Sequence, residues 1–425
     1  MTTTTTTAPI HVPLREDVRT IGLIGLAHGT SHFFHLLLPS LFPLFIHDFG
    51  LSYAELGLLV TTFFVISGTG QATSGFLVDR VGARPVLFAA MGCFALSGLA
   101  LSLATGYGGL MLASGLAGLG NCPFHPADFT ILNRRVSPPR LGHAFSVHGL
   151  SGNLGWAVAP LYLTGIATAS GAWRVAAVCA SLLVLVVMAL LWWQRDGIDD
   201  RRGSVPQVPM GASHAAPTLA TEHPMAFMKL PSVWLCFSFF FWSTCALSAI
   251  QSFASPALQQ LEGLPLSTTS LVVSGYMLFG AVGIVIGGFL ATRSERQERI
   301  ISPCLLGSGA LLVLVGTGVV PGVMAVVLTA VAGFGTGLAN PSRDMLIKRA
   351  APPGATGRVY GTVYSALDLG FALSAPVFGA MLDHHRPSGV FFGSALALGL
   401  SVVSAAAVGL FIQRGRQVAG RVAAL

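Results

Sequence analysis

Long apolar runs recur along the whole chain, separated by short polar connections. About 20 apolar residues cross the hydrocarbon of a bilayer. By that measure the spans fall at 18–46, 53–78, 85–105, 107–134, 141–169 and 172–195, then at 231–258, 267–292, 300–320, 322–350, 355–384 and 387–413. The stretch 196–230 breaks the pattern: it is charged around Arg195–Arg202, then rich in Pro, Ala and Thr, the composition of a solvated linker. The pattern predicts an all-α membrane protein with twelve transmembrane helices. Its order would be a disordered N-terminus (1–17), a six-helix bundle (18–195), a linker (196–230), a second six-helix bundle (231–413) and a tail (414–425).

Composition agrees. Of 425 residues 53% are hydrophobic and 9% charged, whereas a soluble domain carries about 25% charged residues. Disordered chains have the opposite composition. The net charge is +7, and its placement is informative. All of the 23 Lys and Arg except Arg174, Arg343 and Arg386 fall before the first span, in every second connection or in the tail. Cytoplasmic loops collect Lys and Arg, so both termini are expected in the cytoplasm of a multi-pass inner-membrane protein. The basic balance therefore calls for no nucleic-acid partner. The first apolar run is too long for a signal-peptide core and lacks a clear cleavage site. Six cysteines lie in apolar segments without metal-type spacing and read as small buried hydrophobes.

An internal repeat relates the two halves. Gly118, Gly120, Pro126, Arg134, Pro138, Gly142 and Gly155 recur 215 residues later as Gly333, Gly335, Pro341, Arg349, Pro353, Gly357 and Gly370. Gly75-Phe76-Leu77 recurs as Gly288-Phe289-Leu290, and Pro43 as Pro256, at an offset of 213. Duplicated six-helix halves mark a transporter whose substrate site lies between the repeats near the bilayer midplane.

The segment Gly75-Phe-Leu-Val-Asp79-Arg80-Val-Gly82-Ala-Arg84 between spans two and three resembles the signature loop of the major facilitator superfamily. The resemblance implies two pseudo-symmetric bundles working by alternating access. In it Asp79 would cap the start of span eleven and hold the outward-open state, and Gly82 would permit the tight turn beside Arg80 and Arg84. Three further stretches are similar to the fosmidomycin-resistance group of drug exporters, which implies efflux: His28 through Pro43 to His47-Asp-Phe-Gly-Leu-Ser-Tyr-Ala-Glu-Leu-Gly, Phe124-His125-Pro126, and Gly142 through His148, Gly152 and Gly155 to Pro160. The chain departs from that group at His32, where Asp is usual, and after His-Pro, where Ala127 and then Asp128 stand in place of Glu. Thr292 replaces Asp79 in the second half.

An ionisable side chain at membrane depth is a functional candidate by default. His28, His32 and His35 repeat at i, i+4 and i+7 and share one face of span one. Three roles are open to them: buried hydrogen-bonding, binding of a proton or anion, and ligation of a transition metal. Span four places Asn121, His125 and Asp128 on one face, interrupted by Pro123 and Pro126, and the repeat maps these three onto Thr336, Asn340 and Arg343 of span ten. Arg343 offers a planar, permanently charged fork for a carboxylate or phosphonate. Asp128, tuned by His125, would be its counter-ion or a proton carrier, with Asp344 sharing the proton-coupling role; the alternative is a structural network in which Arg343 pairs with Asp344 or Asp368. Asp368 maps onto Asn153, and both are expected to gate movement between the bundles.

These readings favour a monomeric, proton-coupled secondary transporter of a small organic, anionic solute or drug, needing the bilayer but no cofactor or resident metal. A transition-metal or metal-complex transporter using the histidine stripe is the alternative. An enzyme is disfavoured: the sequence has no evident nucleotide loop and no His-Glu-x2-His, and 196–230 is too short for a catalytic domain.

Overall fold

A computed structural model describes residues 13–202, 226–294, 296–350 and 356–422. Of the N-terminus expected to be disordered over 1–17, residues 1–12 lie outside that range, as do the linker between 203 and 225 and the last residues of the tail. Leu14, by contrast, already begins a helix, and Asp17 is buried, accepting from the Ser137 N–H at 3.1 Å. Among the described residues all regular structure is helical. The helices are α1 (Leu14–His35), α2 (Phe42–Phe49), α3 (Tyr53–Val81), α4 (Ala83–Ser102), α5 (Tyr107–Asn121), α6 (Phe124–Arg135), α7 (Leu141–Ser170) and α8 (Trp173–Trp193). The second half supplies α9 (Pro231–Glu262), α10 (Leu266–Arg293), α11 (Glu298–Gly316), α12 (Gly322–Ala350), α13 (Thr356–Asp383) and α14 (Ser388–Val422).

Two breaks turn twelve membrane-length elements into fourteen helices. Between α1 and α2 the axis bends by 43° at a turn over Pro39–Leu41. Between α5 and α6 the helix breaks at Cys122–Pro123. Proline has no N–H to donate to the preceding turn, and the Cys122 thiol instead bonds the Leu119 carbonyl at 3.1 Å. The matching element α12 keeps Pro341 but has Leu338 in place of Pro123, and it runs unbroken.

Among the described residues, nine helices are individually long and apolar enough to span a bilayer, and α1 with α2 makes a tenth. The elements that fall short are α5–α6 and α7. The break leaves α5 and α6 at 15 and 12 residues, each too short alone, whereas α7 is long enough and carries the polar His148 and Asn153.

The repeat appears in three dimensions as matched close approaches. A Cβ on Gly118 would meet the Phe63 carbonyl, and one on Gly333 the Tyr276 carbonyl. Gly120 sits against Ala90 and Phe94, as Gly335 sits against Cys304 and Ser308. Small residues let membrane helices pack backbone to backbone, and here they do so at equivalent places in both halves.

The halves meet along two seams, α3 against α13 and α7 against α10. The first is closed at the end carrying Tyr53 and Asp383. Gly379 lies against the Tyr53 carbonyl, Gly57 against Ala375 and Pro376, and Phe64 stacks on Phe371 with ring centroids 4.1 Å apart. Asp383 then caps a helix of the other half: the Tyr53 and Ala54 N–H groups donate to its two carboxylate oxygens at 2.7 and 2.9 Å. These are first-turn donors of α3 that no intrahelical carbonyl can reach, and a carboxylate complements the positive end of the helix dipole. The arginine-rich end is the more open one among the described residues. Phe76, Leu77 and Phe289 are exposed, and Gly75, Gly142, Gly149 and Gly288 have open space where a Cβ would stand.

Residues 195–202, which composition assigned to solvent, are instead folded against the first half. Ile198, Asp199 and Asp200 are buried. Asp200 accepts from the Ala83 and Arg84 N–H groups at 3.1 and 3.2 Å and faces Arg134 at 3.3 Å, while Asp199 pairs with Arg84 at 3.1 Å. Each charge has a partner from a distant element, which a composition window does not detect.

The Asp383 cap makes the closed end separable from overall stability. In a cysteine-free background with Ser252→Cys, a buried position in a pocket between the halves lined by Pro39, Pro160 and Ser270, Asp383→Asn is expected to raise the alkylation rate about fivefold, the equivalent of losing a cap of about 1 kcal/mol. An unchanged rate in a folded variant would remove Asp383 from the closure.

Candidate functional site

The site is built where α1, α6 and α7 meet, with α3 and the end of α5 behind them. Close approach of α7 to α1 is a glycine effect: a Cβ on Gly155 would collide with the Gly29 carbonyl, and one on Gly152 would lie 2.6 Å from the His32 ring and 3.2 Å from His28. Three imidazoles of α1 and one of α7 are thereby pressed together. His28 stacks on His148 with centroids 3.5 Å apart and lies 4.4 Å from His32, which in turn stacks on His35 at 4.7 Å and on Trp156 at 4.2 Å. His125 of α6 closes the group, 5.4 Å from His28.

Asp128 is fully buried at the centre. Its Oδ2 is 3.1 Å from His148 Nε2 in a hydrogen bond and 3.2 Å from His28 Nδ1. The second contact lacks hydrogen-bond geometry, and His28 Nδ1, His32 Nδ1 and Asp128 Oδ1 are all buried without a hydrogen-bond partner. Buried polar atoms are nearly always paired, so three orphans in one cluster are unusual.

A second network runs toward the other half. The Trp156 indole donates to His35 Nδ1 at 3.3 Å, which fixes that nitrogen as an acceptor and leaves Nε2 to donate to Asn121 Oδ1 at 2.9 Å. The same oxygen accepts from the Ser31 hydroxyl at 2.6 Å, and Asn121 Nδ2 donates to Ser67 at 2.8 Å. Ser67 lies against the Asp368 carboxylate of α13, beside Gly68, whose missing side chain makes room for Asp368. Asp368 is thus at the seam between the halves, as its place on span eleven suggested. The Asn153 amide donates to the Gly149 carbonyl of its own helix at 3.4 Å.

The second-half residues form a separate group. Arg343 Nε donates to Asp344 Oδ1 at 3.1 Å, and its guanidinium sits 4.5 Å from the Phe240 ring centroid. Tyr364 donates to Asp344 at 3.4 Å. Asn340 is half-buried on α12. The counter-ion expected of Asp128 is not found in this conformation: its contacts are histidines, and the carboxylate beside Arg343 is Asp344. In the signature loop Gly82 has φ +102°, which a side chain tolerates poorly; Arg84 is tied to Asp199, and Asp79 and Arg80 are exposed.

Sequence reasoning picked out the helix-one stripe and span four but left His148, Gln71, Ser67 and Trp156 out of the site. His148 carried the same signal as His28, an ionisable group at membrane depth. Gln71, which pairs with His125 Nδ1 at 3.1 Å, and Ser67 carried none, because ordinary polar residues on a span acquire meaning only from what they touch.

A bilayer-spanning, pseudo-duplicated helical protein with a buried ionisable cluster and a seam closed at one end is a membrane transporter in architecture. The chain belongs to the Major Facilitator Superfamily, whose family model matches residues 24–268 and 238–423, and it is not an enzyme. It is 28% identical over 384 residues to the fosmidomycin resistance protein of Escherichia coli, covering 87% of this chain and 88% of that one. It is 23% identical to the hexuronate transporter of Bacillus subtilis, covering 87% and 89% of the two chains. Among solved structures it is similar to a bacterial homolog of the human lysosomal transporter Spinster, in an inward-facing, unoccupied conformation. That match has a TM-score of 0.69 and 14% identity, and covers 95% of this chain and 98% of that one.

Asn121 satisfies three partners from two helices, so Asn121→Leu is expected to destabilise the folded protein by about 1–3 kcal/mol for each group left buried and unpaired. Chemical unfolding in detergent measures it. A variant as stable as the parent would mean that the network closes through other groups.

Proposed function

We propose that this protein is a secondary active transporter that moves a small organic anion by alternating access and couples that movement to protons. The reading rests first on one observation: the seam is sealed by Asp383, Gly379 and Gly57 at one end, while glycines toward the other end, the repeat pair Gly75 and Gly288 among them, face open space. Gly75, Gly142, Gly149 and Gly288 are packing surfaces without a partner here, and they gain one if the halves rock together at that end. In the rocked state Asp79 takes the part that Asp383 plays here, capping α13 from α3, as the signature-loop resemblance implies. The open, arginine-rich end is then cytoplasmic, with both termini on that side.

Arg343 is the anion anchor in this reading. Its guanidinium is oriented by Phe240 and Asp344 and is half-buried at membrane depth. An arriving carboxylate competes with Asp344 for the fork, and displaced Asp344 becomes available to a proton. Asp128, with His125 and His148 beside it, carries the coupling proton in the first half, while the separate network through Asn121 and Ser67 reaches the seam at Asp368. Relatives named for hexuronate and for resistance to fosmidomycin support an organic acid as cargo, and the second favours export.

Proteoliposomes with an imposed proton gradient test this with fosmidomycin and glucuronate as probes. The parent protein is expected to move at least one of them faster as the gradient steepens. Arg343→Lys and Arg343→Ala should each cost tenfold or more, because an ammonium does not replace a planar fork. Asp128→Asn should abolish the gradient dependence. Normal transport by both folded Arg343 variants would refute the anchor, and an unchanged gradient response in Asp128→Asn would refute the coupling site.

A further inference from the structure

We infer that the cluster at the junction of α1, α6 and α7 is a binding site for one divalent transition-metal ion, held by His28, His148 and Asp128 and entered past His32 and His125. The inference rests on the geometry of the first half and is independent of the solute proposed above.

Two sets of potential ligands overlap there. The ligating atoms of His28, Asp128 and His148 all lie within 4.8 Å of one another, as do those of His28, His32 and His125. His28 belongs to both sets. Metal–ligand bonds to imidazole and carboxylate are about 2.0–2.2 Å, so neighbouring ligand atoms of a tetrahedral ion sit roughly 3.3–3.5 Å apart. The separations from Asp128 Oδ2 to His148 Nε2, 3.1 Å, and to His28 Nδ1, 3.2 Å, are already close to that edge length. A small outward shift of the three side chains accommodates an ion.

The orphaned atoms point the same way. His28 Nδ1 and Asp128 Oδ1 in one set and His32 Nδ1 in the other are buried without a hydrogen-bond partner, and a bound ion supplies what hydrogen bonds do not. His125 is set up as metal-ligating histidines usually are: one nitrogen, Nδ1, is engaged by a side-chain oxygen, that of Gln71 at 3.1 Å, which leaves Nε2 as the lone-pair donor. The gradient of burial gives an entry order. His32 and His125 are half-buried, whereas His28, Asp128 and His148 are closed off, so the ion meets the first pair before settling among the second set.

The donor set selects the class of ion. Imidazole nitrogens with a single carboxylate suit Zn²⁺, Co²⁺, Ni²⁺ or Fe²⁺. Mg²⁺ keeps its water and Ca²⁺ wants six to eight oxygens, and a buried, nitrogen-rich cluster with one carboxylate provides neither. Because ligands must be deprotonated to bind, the ion takes the place of protons at these groups, so metal and proton exclude each other there.

The test is made on the purified full-length protein in detergent, stripped with chelator, in the absence of organic solute. Titration with CoCl₂ is expected to saturate at one ion per chain with the intense visible absorption of four-coordinate cobalt, and ZnCl₂ should displace it one for one while MgCl₂ does not. His28→Gln and His148→Gln should each weaken cobalt binding by at least tenfold. His47→Gln, at an exposed position remote from the cluster, should leave it unchanged. Absence of saturable one-to-one binding, or binding that both cluster variants retain, overturns the inference. Should those variants fail to fold, the zinc K-edge spectrum of the parent decides. A shell of nitrogen and oxygen near 2.0 Å with imidazole scattering supports the site, and a six-oxygen hydrated ion refutes it. Failure of anion transport in proteoliposomes would leave this result standing, and the reverse also holds.

Discussion

A carboxylate buried in the interior of a bilayer-spanning helical half must be partnered, and at Asp128 every nearby partner is an imidazole. Much of the first half can be read as the means of assembling that contact. The glycines at 29, 152 and 155 let α7 close on α1 so that His148 reaches Asp128 and stacks on His28. The break at Cys122–Pro123 separates α6 from α5 and sets the start of α6, four residues before Asp128. Polar groups so placed lower the hydropathy of their own spans, a cost that is tolerable only where the residues face protein.

The second constraint is duplication. Equivalent glycines give equivalent contacts inside each half, yet chemistry has diverged between them. The place of Asp128 is taken by Arg343, that of His125 by Asn340, and that of Asn153 by Asp368. One half therefore presents imidazoles around an acid and the other a guanidinium beside an acid. The Asn121–Ser67 bridge to Asp368 crosses the α3–α13 seam, and Asp383 caps α3 across the same seam at its closed end. Helices α3 and α13 thus carry both the closure and the contact from Asn121 through Ser67 to Asp368.

The helical pattern, the twelve elements, the pseudo-symmetry and the signature loop could be read before any coordinates, because each is written in local periodicity or in a constant offset. The histidine stripe at His28, His32 and His35 was legible for the same reason. What was not legible depended on tertiary proximity. Asp383 looks like the end of a span until it is found capping Tyr53, 330 residues away. Gln71 and Ser67 are unremarkable polar residues until His125 and Asn121 reach them. Residues 195–202 read as solvated because charge density is all that composition reports, whereas Asp199 and Asp200 are matched one by one to Arg84, Arg134 and the start of α4. The Arg343–Asp128 pairing expected from the repeat fails for the complementary reason: equivalent positions in two halves need not touch, and each charge found a nearer partner.

If Asp128 carries the coupling proton, its protonation biases which end is open, and a distance measurement tests that directly. Spin labels at Phe76→Cys and Phe289→Cys, both exposed at the arginine-rich ends of opposite halves, report the opening in a cysteine-free background by double electron–electron resonance. Between pH 8 and pH 5.5 the distance distribution is expected to change in the parent protein, as the coupling proton is taken up at Asp128, and to remain fixed in Asp128→Asn. The same pH response in both proteins would contradict the account.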